Sequence, residues 1–142
     1  MNIVIDTNVI ISGVLWNGTP NKIIKAVEAG KLINCCTPLI ISEIEEVLKR
    51  PYFSRRMDAL NVSVDSIITG ILELSKLYED NIAHPIVHKD PDDDKFIFCA
   101  MVSKAKYVIS GDRHLLDLQQ YNDVKIVSPA SLFSDVRIFS AG

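Results

Sequence analysis

The feature that most constrains this chain is a set of short runs that are apolar nearly throughout. Ile3-Val4-Ile5 comes almost first, Leu32-Ile33-Asn34-Cys35-Cys36 follows, and Tyr107-Val108-Ile109-Ser110 and Lys125-Ile126-Val127-Ser128 come late. None shows the strict alternation of a strand with one wet face. Such runs suit strands buried on both faces, as in a parallel sheet covered by helices. Helical patterns lie between them, which completes the signature of an α/β domain.

Cap signals mark the helices. A helical pattern runs from Val9 to Leu15. Thr19-Pro20 predicts an N-cap and first helical residue, with the helix running to about Ala29 and Gly30 stopping it. Thr37-Pro38 repeats the signal before a helix over 39–49 that carries Ile40, Ile44, Val47 and Leu48 on one face, and Pro51 is expected to close it. A polar, basic piece covers 52–58. Ser63 caps a further helix reaching Tyr78. Pro85-Ile86-Val87 reads as a short strand, and the acidic run Asp92-Asp93-Asp94 opens a helix with Phe96, Ile97, Ala100 and Met101 inward. A helix or turn through Leu118 and a short helix from Pro129 to Phe133 follow. The 142 residues fit one domain, 1–142, with 134–142 as a tail of no strong signal.

Composition narrows the chemistry. With 48% hydrophobic and 23% charged residues the chain can bury a core. A net charge of −3 argues against coating nucleic acid by charge alone, so a nucleic-acid partner would need a local basic strip or a bridging cation. The three cysteines, Cys35, Cys36 and Cys99, match no zinc or redox spacing and read as buried thiols in a reducing compartment. No basic segment precedes a long apolar one at the start, and the longest apolar run, Phe96 to Val102, is far short of the ~20 residues that span a bilayer. The expected address is the cytoplasm, with no membrane.

In such folds ligands gather beyond the C-terminal ends of the strands. Asp6 follows the first strand, in Asp6-Thr7-Asn8. Gly111-Asp112 follows the strand at Tyr107. Glu43 lies in the helix after the second strand, bordering its apolar face beside Val47, whereas Glu45 and Glu46 lie further round. Asp92 to Asp94 stand between. Each has a plain alternative: a helix cap for Asp6, a solvated glutamate for Glu43, an acidic helix start for Asp92 to Asp94, a turn for Gly111-Asp112. Together they place four acidic positions at one rim. Carboxylates so grouped stay ionised only if a cation or water screens them. Oxygen ligands suit Mg²⁺ or Mn²⁺, and His84, His88 and His114 match no zinc spacing. Such a site can activate water and neutralise charge on a phosphate, which points to metal-assisted attack on a phosphoester.

The sequence resembles the PIN-domain family of metal-dependent ribonucleases from Ile3 to about Phe133. The resemblance rests on IDTNVIIS, SEIEEVLKRPYF, DPDDDKFIFCA and YVISGDRHLL, in that order. It is nearest to the bacterial and archaeal branch of toxins from type II toxin–antitoxin pairs. It implies a three-layer α/β/α fold with a parallel sheet of about five strands, and one or two Mg²⁺ or Mn²⁺ ions that activate water for hydrolysis of an RNA phosphodiester. Carried over residue by residue, it assigns Asp6, Glu43 and Asp112 as catalytic metal ligands. For the remaining acidic position, registering Ala100 selects Asp93, and counting back from Asp112 selects Asp94; Asp93 is taken as catalytic, with Asp94 kept as a metal ligand. Asn8 and Ser110 match polar positions lining the family's site, Ser110 standing where many members have threonine. Thr7 is expected to support the turn.

Substrate and partners follow with less force. Lys49-Arg50 and Arg55-Arg56 form either a basic strip beside the site or ordinary surface. Arg113 and His114 follow Asp112 and are placed to touch phosphate. Tyr52 and Phe53 either stack a base or pack the core. The resemblance implies an RNA substrate, a cognate antitoxin protein and a homodimer; the apolar face of the helix from Ser63 to Tyr78 serves either as interface or simply as core. Two other readings compete. A catalytically idle binding module would keep the fold without cleavage. A haloacid dehalogenase-like phosphatase would use Asp6 as nucleophile, but its acid/base place is occupied by Asn8 and the acidic run would go unused. A receiver-like signalling domain would need an acidic neighbour for Asp6, and none stands there.

Overall fold

The computed structural model describes residues 1–80 and 94–134. The strand expected at Pro85-Ile86-Val87, the residues Asp92 and Asp93, and the tail from 135 onward lie outside the described residues. The elements in chain order are β1 (Asn2–Ile5), α1 (Thr7–Leu15), α2 (Thr19–Glu28), β2 (Ile33–Cys36), α3 (Pro38–Leu48), α4 (Pro51–Leu60), α5 (Val64–Glu73), β3 (Ser75–Leu77), α6 (Asp94–Ser103), β4 (Tyr107–Ile109), α7 (Arg113–Leu118), β5 (Gln120–Tyr121), β6 (Val124–Val127) and α8 (Pro129–Ser134). The sheet has the order β3-β2-β1-β4-β6-β5. All its neighbours are parallel except the β5–β6 pair at the edge. Among the described residues five strands are parallel, the number the resemblance implies, but one of them is β3, where the sequence predicts helix, and the antiparallel β5 adds a sixth.

The apolar runs do what their composition requires. Ile3, Val4, Val108 and Ile109 in the two central strands are completely buried. The register sets Ile3 beside Tyr107 and Ile5 beside Ile109 on one side, and Ile3 beside Asn34 on the other. The strand order runs outward from β1 to β2 to β3, and the next strand, β4, lies on the other side of β1. This return makes β1 and β4 neighbours at the point where strand order reverses. Cys35, Cys36 and Cys99 are buried and unpaired. Burial raises all three thiols, Cys36 to about 11, which keeps them protonated and poor metal ligands.

Helix α1 crosses α2 at unusually close range. A Cβ at Gly13 would stand 2.7 Å from Ile24 Cγ1 and 2.8 Å from the Pro20 carbonyl oxygen, so only glycine lets the backbones meet there.

Four local expectations are corrected. Gly18, at φ 138, is the N-cap of α2, leaving Thr19 and Pro20 inside its first turn. Pro51 does close α3, but it also opens α4, because a proline that cannot continue one helix is well suited to start the next. The helix after Ser63 ends at Glu73, and Ser75–Leu77 forms β3 on β2. Ser75-Lys76-Leu77 has one apolar residue and so no period of its own, and pairing with β2 decides its conformation. Gln120–Tyr121, too short for a periodic signal, pairs with β6.

Candidate active site

Asp6 is held by everything around the end of β1. Its backbone N–H donates to the Ile109 carbonyl at 2.9 Å, tying it to the end of β4. Its Oδ1 accepts from the Val9 N–H at 2.9 Å, so it caps α1. Its Oδ2 accepts from the hydroxyl of the fully buried Ser110. The Ser110 oxygen in turn accepts from the Asp112 N–H at 2.9 Å. Asp112 caps α7, its Oδ1 accepting from the His114 N–H at 2.8 Å. The cap reading of Asp6 holds, and its second carboxylate oxygen is turned to Ser110 at the end of β4.

Asp6 is 5% exposed. Burial pushes its carboxyl above the ordinary aspartate range, hydrogen bonds from Ser110, Val9 and Gly111 pull it back, and the negative Asp112 pushes it up again. A buried carboxylate beside a second one is a place where a cation would relieve the repulsion.

Glu43 reaches the same place from α3. The Thr7 hydroxyl donates to its Oε2. The Lys95 ammonium, on the first turn of α6, lies 3.1 Å from its Oε1. Thr7, expected to serve only the turn, therefore orients a carboxylate of another helix. Lys95 was not singled out in the sequence. Its signal was its place directly after the acidic run, but nothing local tells a lysine at a site from a solvated one.

Asp6, Thr7, Asn8, Glu43 and Asp112 line one cleft of about 120 Å³, with Val47, Phe96 and Arg50 completing its walls. Three carboxylates and an amide make an oxygen-rich lining with one guanidinium at the rim. Among the described residues no three acidic, cysteine or histidine side chains close on a common point as a finished metal cage. The donor set nonetheless fits a hard divalent cation that keeps several waters and uses few protein ligands, as Mg²⁺ does. Asp6, Glu43 and Asp112 are the residues that would hold it.

The other candidate residues fall into place unevenly. Asp94 begins α6, half-buried, and Asp93 lies outside the described residues. Asn8 is exposed and lines the cleft. Ser110, expected to line the site, is 0% exposed and cannot touch a substrate; it positions Asp6 and Asp112 instead. Arg113 is exposed at the start of α7 but is not among the cleft-lining residues. Of the basic strip, Arg50 reaches the cleft, Lys49 lies 3.8 Å from Glu45, and the Arg56 Nε donates to the Leu15 carbonyl at 2.8 Å. Among the described residues no helix is long and apolar enough to cross a membrane.

Comparison with known proteins agrees with this arrangement. A relative from Methanocaldococcus jannaschii, the uncharacterized protein MJ1680, is 33% identical over 123 residues, covering 86% of this chain and 77% of its own. The model of the PIN domain matches residues 2–114, a span that includes Asp6, Glu43 and Asp112. PIN domains are generally nucleases and typically use divalent metals such as Mg²⁺. With the α/β sheet, the acidic cleft and the match in agreement, this chain belongs to the PIN-domain family.

Proposed function

We propose that this protein is a metal-dependent endoribonuclease that hydrolyses RNA phosphodiester bonds. The observation that carries this reading is the convergence of Asp6, Glu43 and Asp112 on one cleft at the C-terminal ends of β1 and β4. A divalent cation held there would supply an activated water and neutralise charge on the phosphate.

The chain's own residues do the rest. The Ser110 hydroxyl and the Val9 N–H use one lone-pair direction on each Asp6 oxygen, which fixes the carboxylate plane. Thr7 and Lys95 hold the two oxygens of Glu43. Sites whose ligands are oriented in this way lose little energy to reorganisation as charge develops. Asn8, exposed at the rim, can donate from its amide to a phosphate oxygen. Arg50 offers a planar fork of donors to the same group. The net charge of −3 is answered locally by Arg50 and by the cation.

The toxin role belongs to the same reading, with a cognate antitoxin and a homodimer as partners and the cytoplasm as the place of action. Its support is the motif resemblance along the chain.

The test is cleavage of a mixed single-stranded RNA pool in EDTA, Mg²⁺ or Mn²⁺, by wild type and by the Asp6→Asn, Asp93→Asn and Asp94→Asn variants. Cleavage that needs metal and disappears in Asp6→Asn is expected. Whichever of the other two variants loses activity identifies the remaining ligand. A folded wild type that binds RNA and never cleaves it would support the idle binding module.

A further inference from the structure

Trp16 and Phe53 pack against the core and carry on their outer side a third ring, Tyr52, that the core does not use. Tyr52 is 70% exposed. Its ring stacks on Trp16 with centroids 5.5 Å apart and meets Phe53 in a T-shaped contact at 5.1 Å. Its exposure leaves most of the Tyr52 ring open to solvent beside these two contacts. The platform is built before any ligand arrives: Arg56 lies over the Trp16 ring at 5.5 Å and is itself tied to the Leu15 carbonyl.

Two chain segments lead from the cleft to the stack. Arg50 lines the cleft, and Tyr52 follows it by two residues, at most about 7 Å of chain. Helix α1 runs about 14 Å from Thr7 at the cleft to Trp16 at its C-cap. Arg50 and Arg55 are exposed and, among the described residues, neither forms an ion pair. Unpaired guanidinium groups flanking an open aromatic face are complementary to a phosphate backbone with an unpaired base.

We infer that Tyr52, seated on Trp16, is a stacking subsite for an unpaired base of the RNA strand whose phosphate enters the cleft. This rests on the ribonuclease reading for its substrate. The subsite would favour single-stranded RNA, because a base paired within a duplex cannot present its face to Tyr52.

The test is fluorescence anisotropy with labelled single-stranded oligoribonucleotides, run in Mg²⁺ on an Asp6→Asn background to prevent cleavage. Tyr52→Ala is expected to weaken binding by about 5- to 150-fold, and Tyr52→Phe to restore it. An oligonucleotide made abasic throughout keeps the charge and removes the bases; it should bind the parent and Tyr52→Ala alike. Trp16 is the chain's single tryptophan, so its emission should change on binding in the parent and not in Tyr52→Ala. Unchanged affinity in Tyr52→Ala overturns the proposal, as does an equal loss on normal and abasic strands. Unchanged RNA affinity with a shift from dimer to monomer would assign this face to a second copy of the chain and overturn it too. RNA bound through Tyr52 but never cleaved by wild type would sink the ribonuclease reading and leave the subsite standing. Cleavage indifferent to Tyr52 would do the reverse.

Discussion

The Ser110 hydroxyl donates to Asp6 Oδ2, joining residues 104 positions apart. The bond exists because β1 and β4 are parallel neighbours in register through Ile5 and Ile109. The same oxygen of Ser110 accepts from the Asp112 N–H, so one buried hydroxyl couples two of the acidic residues.

Removing that hydroxyl should therefore damage both stability and the site. Ser110→Ala leaves an acceptor on Asp6 and a donor on Asp112 without this partner. A loss of about 1–3 kcal/mol is expected from urea unfolding midpoints at unchanged slope. Cleavage should fall as well, and its acidic limb should move to higher pH, because a donor that lowered the Asp6 pKa is gone.

The Asp6 carboxyl itself makes a prediction about pH. Its folded pKa lies above the ordinary aspartate value of 3.8, chiefly through burial. The folded state thus binds this proton more tightly than the unfolded state. The associated stability is fully present below 3.8 and is lost as pH rises through the folded pKa. In EDTA, Asp6→Asn should gain thermal stability relative to wild type at neutral pH, and the gain should vanish in acid. A variant that melts lower than wild type at pH 7, with the gap unchanged at low pH, would contradict the sign.

Thr7 offers a separate handle on Glu43. Thr7→Val keeps the shape and removes the donor to Glu43 Oε2. Groups that orient metal-binding carboxylates typically account for about 10- to 100-fold in metal affinity or activity. The Mg²⁺ concentration needed for half-maximal cleavage should rise by a factor of that size, with Thr7→Ser close to wild type.

The crossing of α1 and α2 can be probed without touching the cleft. Gly13→Ala places a Cβ against Ile24 and the Pro20 carbonyl. Forcing that contact should cost about 1–3 kcal/mol, read as a lower melting temperature. Metal dependence of the remaining folded fraction should not change, because neither side chain lines the cleft.

Much of this was legible in the chain itself. Ile3-Val4-Ile5 and Tyr107-Val108-Ile109 declared buried parallel strands, since no half-wet strand is apolar at every position. Asp6, Thr37, Ser63 and Asp112 are caps because their side chains accept from backbone N–H groups only a few residues ahead, a local geometry that short sequence windows encode. Ser75–Leu77 was not legible, because with one apolar residue in three it has no period of its own and only pairing with β2 makes it a strand. Nor was the meeting of Thr7, Glu43 and Lys95. Those residues sit on α1, α3 and α6, and no spacing along the chain relates them. The sequence by itself determined which residues form buried strands and which side chains stand at strand ends, because burial and capping are local. Which carboxylates share a cleft, which hydroxyl holds them and which lysine faces them were decided by the sheet order β3-β2-β1-β4-β6-β5, which brings distant strand ends to one rim.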